Sequence, residues 1–173
     1  MVRILSADDH SEIGNTLLEK GEFTKAMEEF EKALKIDPNH FKAWLGKAKA
    51  HFYLVEYEKA VECSKKAIEI NSDFGEAWGW LGAICKFIRK YEEAIPYFKK
   101  YAELEPDNTS IYLDIGSCYG GFNDYFHQIE YYEKAFEIDP NDLLTKIVLD
   151  KALEKFPQYY DEKSKRKKSQ AEC

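Results

Sequence analysis

At 173 residues and a net charge of −7, the chain is long enough for one domain with a sizeable core. It is too acidic for a general nucleic-acid binder, because phosphate contacts want a basic surface. Its 45% hydrophobic and 33% charged residues describe a globular rather than a disordered chain, and no apolar run is long enough to span a bilayer.

Residues 1–6 form a short lead. Its apolar stretch is too brief for the core of a signal peptide and runs into Asp8 and Asp9, so the cytoplasm is the expected compartment. From residue 7 the chain repeats. KALKIDPN at 32–39, KAIEINSD at 66–73, KYAELEPD at 100–107 and KAFEIDPN at 134–141 follow one another at a constant offset of 34 residues with no insertion. The units are 7–40, 41–74, 75–108 and 109–142. Each contains two apolar stretches at helical spacing, which predicts an antiparallel helix pair. In the third unit these are Ala77, Trp78, Leu81 and Cys85, then Ala94, Ile95, Phe98 and Leu104.

Position 4 of the units holds His10, Trp44, Trp78 and Tyr112, and position 8 holds Gly14, Ala48, Gly82 and Gly116. Position 17 holds Phe23, Tyr57, Tyr91 and Tyr125; position 20 holds Ala26, Ala60, Ala94 and Gln128. Phe30, Ser64, Phe98 and Tyr132 stand at position 24, and Pro38, Ser72, Pro106 and Pro140 at position 32. Small residues at positions 8 and 20 allow two backbones to approach, so Ala60 and Ala94 are expected contact points. Trp44 and Trp78 are expected to be buried anchors beside them. Proline near the end of a unit stops its second helix. Pro96 predicts a small kink, and Lys47 is expected to lay its stem along the apolar face.

The fourth unit departs from the pattern. Gln128 replaces the small residue, and Gly120–Gly121 predicts an early end to the first helix. Drift in a terminal unit and a local hinge or ligand approach both account for this. Residues 143–156 carry Leu143, Leu144, Ile147, Val148, Ala152, Leu153 and Phe156 at helical spacing, which predicts a closing helix. After Pro157, the segment 157–173 reads as a polar, disordered tail. Its run KSKRKK at 163–168 suggests a solubilising tail, a nuclear import signal, or an anchor to an acidic partner such as nucleic acid.

No motif for catalysis stands out. Cys63, Cys85, Cys118 and Cys173 lack a C-x-x-C pair and read as reduced thiols. His10, His40, His51 and His127 have no metal-binding spacing. There is no phosphate loop and no nucleophile elbow. We therefore expect no enzyme activity, no metal, no cofactor and no small-molecule substrate.

The positions quoted above resemble the tetratricopeptide repeat family across residues 7–142. The resemblance implies an all-α, right-handed α-solenoid of four helix hairpins with a C-terminal capping helix. It also implies a concave side lined by positions 2, 5, 6, 9, 12 and 13 of the first helices. In this chain those positions supply Lys42, Leu45, Lys49, Phe52, Trp80, Ala83, Lys86, Leu113 and Ser117 as candidate groove residues. Tyr53 and Phe87 stand at the same positions. The family's chaperone-tail clamp of Lys, Asn and Arg is matched only at Asn15, so no carboxylate-clamp ligand is expected. The expected function is a scaffold that binds a peptide or helix of a partner protein, with apolar anchors and some acidic character. A self-associating subunit stacking through terminal repeats is the alternative.

Overall fold

The computed structural model describes residues 4–171. Among these residues there are ten helices and no strand. In chain order they are α1 (Ala7–Glu19), α2 (Phe23–Ile36), α3 (Phe41–Tyr53), α4 (Tyr57–Ile70), α5 (Gly75–Phe87), α6 (Tyr91–Leu104), α7 (Thr109–Gly121), α8 (Tyr125–Ile138), α9 (Leu143–Lys155) and α10 (Tyr159–Ala171). Local chemistry fixes several starts. Ser6 and Asp9 form a reciprocal capping box on α1, and the Asp142 carboxylate accepts from the Leu144 and Thr145 N–H groups at the start of α9. Pro96 lies inside α6, which continues past it to Leu104.

The turn between paired helices places one residue in the left-handed region each time: Gly21, Val55, Arg89 and Asn123, with φ of 76°, 66°, 62° and 66°. Glycine adopts this conformation freely. Val55, β-branched and exposed, is strained there.

The helices divide into two compact units, one ending at Leu104 and one starting at Glu105. In the first unit α1 pairs with α2, α3 with α4 and α5 with α6. Successive pairs stack through α2 on α3 and α4 on α5, and α3 also touches α1 and α5. The first helices therefore form one layer. Ala60 and Ala94 are fully buried between paired helices. Phe30 is fully buried as well, and its ring is held by two missing side chains: a Cβ on Gly14 would lie 2.6 Å from it, and one on Gly46 only 2.2 Å.

The expectation that Trp44 and Trp78 are buried anchors needs correction. Both are half-buried, because each ring lies at the surface end of its helix and turns its polar edge to the preceding loop. The indole N–H of Trp44 donates to the Pro38 carbonyl (2.9 Å) and that of Trp78 to the Ser72 carbonyl (2.8 Å). In the second unit, the Tyr112 hydroxyl makes the same bond to the Pro106 carbonyl (3.0 Å). Position 4 thus ties α3, α5 and α7 to the loops that precede them, whereas His10 at position 4 of α1 pairs with Glu29 of α2 instead. Replacing Trp78 by Phe keeps most of the ring and loses the bond. We expect a cost of about 0.5–1.5 kcal/mol, read as a shift in denaturation midpoint; an unchanged midpoint would show that the bond contributes nothing.

In the second unit α7 pairs with α8, and α9 packs on α8. The early end expected for α7 does not occur. It runs through Gly120 to Gly121, because Gln128 fills the space a side chain at 120 would take: a Cβ on Gly120 would lie 2.5 Å from the Gln128 amide nitrogen. The large residue at position 20 and the glycine facing it are complementary.

Helix α9 buries Thr145, Leu149 and Ala152, while Leu143, Leu144 and Ile147, expected on its packing face, are exposed. The disordered tail is also a correction, since residues 159–171 form α10. Tyr159 is fully buried and stands at the same offset from residue 143 as Tyr125 from 109. Its hydroxyl donates to Glu133 on α8 at 2.5 Å, and its ring packs against Phe126 at 5.2 Å. Lys163 ion-pairs with the same Glu133, and the Arg166 guanidinium lies 3.6 Å from the Phe126 ring centroid. Tyr159 also shares a buried cluster with Leu149 and Ala152 of α9, although α10 does not lie along α9 as α8 lies along α7. Charged Asp150 and Glu162 occupy the two positions where the other pairs have mostly small residues. Glu172 and Cys173, the end of the expected tail, lie outside the described residues.

Candidate protein-binding face

The end of α3, the start of α4 and the end of α5 meet in an aromatic cluster in the first unit. Phe52 is its hub. It touches Tyr53 (5.6 Å between centroids), Tyr57 (5.6 Å), Trp80 (6.0 Å) and Phe87 (5.0 Å). Tyr53 stacks on Phe23 of α2 at 4.8 Å, and Tyr57 meets Phe87 at 5.5 Å. Such a cluster normally closes over itself. Here Tyr53 is 48% exposed and Phe87 59%, and the neighbouring Leu54 and Val55 are exposed too. Exposed apolar surface of this kind is what recognition sites present.

A groove of about 450 Å³ opens beside the cluster, lined by Asn15, Leu18, Glu19, Lys49, Tyr53, Glu76 and Trp80. It is built on the layer of α1, α3 and α5. The Lys49 ammonium lies 2.6 Å from Glu76 and 5.2 Å from the Trp80 ring centroid. That lysine is already engaged by the protein itself.

The structure therefore brings Lys49, Phe52 and Trp80 together, with Tyr53 and Phe87. It does not bring in the rest of the expected set. Leu45 is a core residue, 2% exposed, clustered with Ala48, Cys63, Ala67 and Ala77. With α1 and α5 both against α3, its position faces inward. Lys42 is exposed on α3, Ala83 and Lys86 are half-buried on α5, and none of the three lines the groove. Leu113 packs against the core of the second unit, and Ser117 is exposed on α7. The expected lysine rim becomes one paired lysine and two carboxylates. Four residues were missed: Leu18 and Glu19 at positions 12 and 13 of the first unit, and Phe23 and Tyr57 at position 17. The recurring aromatic at position 17 was the available signal, because it stands directly after the turn that ends each first helix.

Each histidine contacts a carboxylate: His10 with Glu29 (2.7 Å), His40 with Asp8 (2.9 Å), His51 with Glu56 (2.6 Å) and His127 with Asp124 (2.7 Å). Hydrogen bonds from Lys59 and His51 hold the Glu56 carboxyl below its ordinary range. No group of His, Cys, Asp or Glu among the described residues is arranged to hold a metal ion. Burial pushes the Cys63 thiol up to about 11, which leaves it protonated and weakly nucleophilic at neutral pH. No described helix is long and apolar enough to cross a membrane.

A family model described as a tetratricopeptide repeat matches residues 41–74, 75–108 and 109–142, and another described as a TPR repeat matches residues 14–55. No curated protein sequence matches. Among solved structures, the chain is similar to MamA (41-end) from Desulfovibrio magneticus RS-1, with 20% identity over 94% of this chain and 92% of that one and a TM-score of 0.78. PilF from Pseudomonas aeruginosa is 23% identical over 90% of this chain and 73% of its own, with a TM-score of 0.79. YrrB, described as a TPR protein with an unusual peptide-binding site, is 20% identical over 90% and 89%, with a TM-score of 0.69. At these identities the likeness is one of fold.

Proposed function

The chain belongs to the tetratricopeptide repeat family, whose members generally mediate protein–protein interaction, and from that premise we propose that it is a non-enzymatic scaffold gripping a segment of a partner protein. The segment, extended or helical, lies against the groove of the first unit and seats an apolar anchor on Tyr53, Trp80 and Phe87. The observation that carries this reading is the aromatic cluster that leaves Tyr53 and Phe87 in solvent beside a groove. Large aromatic side chains supply most of the energy at such contacts, and the surrounding charges act mainly on association rate and salt dependence.

The test is affinity capture followed by mass spectrometry with the parent protein, Trp80→Ala and Phe87→Ser. Phe87→Ser changes an exposed side chain and leaves the core alone. Loss of the same captured protein in both variants, with helical content unchanged, is the expected result. Retention of the full captured set by both folded variants moves the site elsewhere.

A second reading, association between copies of the chain, has its own observation. Leu143, Leu144 and Ile147 leave an apolar strip on α9 in solvent. Light scattering across a concentration series separates the two readings, since a scaffold of the first kind stays monomeric without its partner.

A further inference from the structure

We infer that the groove of the first unit selects a segment carrying a lysine or arginine next to its apolar anchor. This rests on the reading of that groove as the binding site and names the chemistry of its occupant. The lysines at concave positions would suggest the opposite, an acidic ligand. The geometry reverses that sign.

Lys49 is the one cation in the groove lining, and it is already paired with Glu76 at 2.6 Å. Glu19, at the end of α1 in the same lining, is exposed and makes no ion pair among the described residues. The lining therefore holds two carboxylates against one ammonium, with a neutral amide from Asn15. An acidic segment would meet Glu19 unopposed and would have to take Lys49 from Glu76. A basic one finds Glu19 available.

The groove also shows how it treats a cation. The Lys49 ammonium lies over the Trp80 ring at 5.2 Å while bonded to a carboxylate. A cation gains from both the negative face of an aromatic ring and a nearby carboxylate, and more so where rings exclude water. Glu19 and the partly exposed Tyr53 ring, both in the groove lining, offer an incoming side chain a carboxylate and an aromatic ring of the same kinds. Arginine suits the site better than lysine, because its planar guanidinium stacks on a ring while its edge bonds a carboxylate. The apolar anchor then falls on Trp80 and Phe87, which belong to one cluster through Phe52.

Selection of short random peptides displayed on phage, with the whole protein immobilised, tests this. Enrichment of Lys or Arg beside an aromatic or aliphatic residue is expected. Glu19→Lys should weaken the selected peptide by about tenfold, with a matching loss of salt dependence. A Glu exchanged for the peptide's cation should restore binding to Glu19→Lys alone. Selected peptides that are acidic or uncharged, or indifferent to Glu19→Lys, overturn the inference. In that event, loss of binding in Phe87→Ser still upholds the groove. Peptides indifferent to Phe87→Ser, or no selection above background, overturn the groove reading together with the inference.

Discussion

Replacing Phe30 by Ala is expected to destabilise the first unit by about 3–5 kcal/mol, read as a lowered denaturation midpoint at unchanged slope. The ring is fully buried, and it fills space that exists only because Gly14 and Gly46 have no side chains. Removing it opens a cavity against two glycine surfaces that have nothing to extend into it. The converse change makes the same point. Gly46→Val places a methyl group where the ring already stands, and overpacking of this kind costs about 1–3 kcal/mol. A cost below about 1 kcal/mol for Phe30→Ala would mean that stacking of the first two repeats does not depend on this wedge.

The second large effect is expected at Tyr159. It holds α10 to α8 through a buried ring and a hydroxyl bonded to Glu133, and burial and that carboxylate push the hydroxyl's pKa up. Tyr159→Ala should remove about 3–5 kcal/mol locally. Amide hydrogen exchange in residues 159–171 should then rise toward that of an unfolded chain, while α1–α6 keep their protection. Tyr159→Phe keeps the ring and loses only the bond to a charged acceptor, about 1.5–3 kcal/mol. Equal protection of α10 in the parent and Tyr159→Ala would show that Lys163 and Arg166 suffice to hold the helix.

Most of the helices could be read from the period. Each first helix starts at the same position of its unit, and so does each second helix, including α10 at Tyr159. The sign for α10 was present in that tyrosine, but the basic composition after it suggested disorder. That α9 and α10 would not pair as the other hairpins do was legible in Asp150 and Glu162, charged residues at positions 8 and 20 where the other pairs have mostly small ones. The complementarity of Gln128 and Gly120 was harder to see, because it depends on which side chain points into which gap. The binding face was legible in part. Phe52 and Trp80 could be placed from repeat positions alone. The burial of Leu45 could not, since it follows from α3 having a neighbour on both sides. Nor could the pairing of Lys49 with Glu76, which depends on the stagger between adjacent repeats.

The central claim is that a partner segment lies on the first-helix layer of the first unit. Hydrogen exchange of the protein alone and with its captured partner, followed by mass spectrometry, addresses it directly. The account predicts added protection at the ends of α3 and α5 and in the turn at residues 54–56, with α9 and α10 unchanged. Protection confined to α9 and α10, or to the second helices α2, α4 and α6, would contradict it.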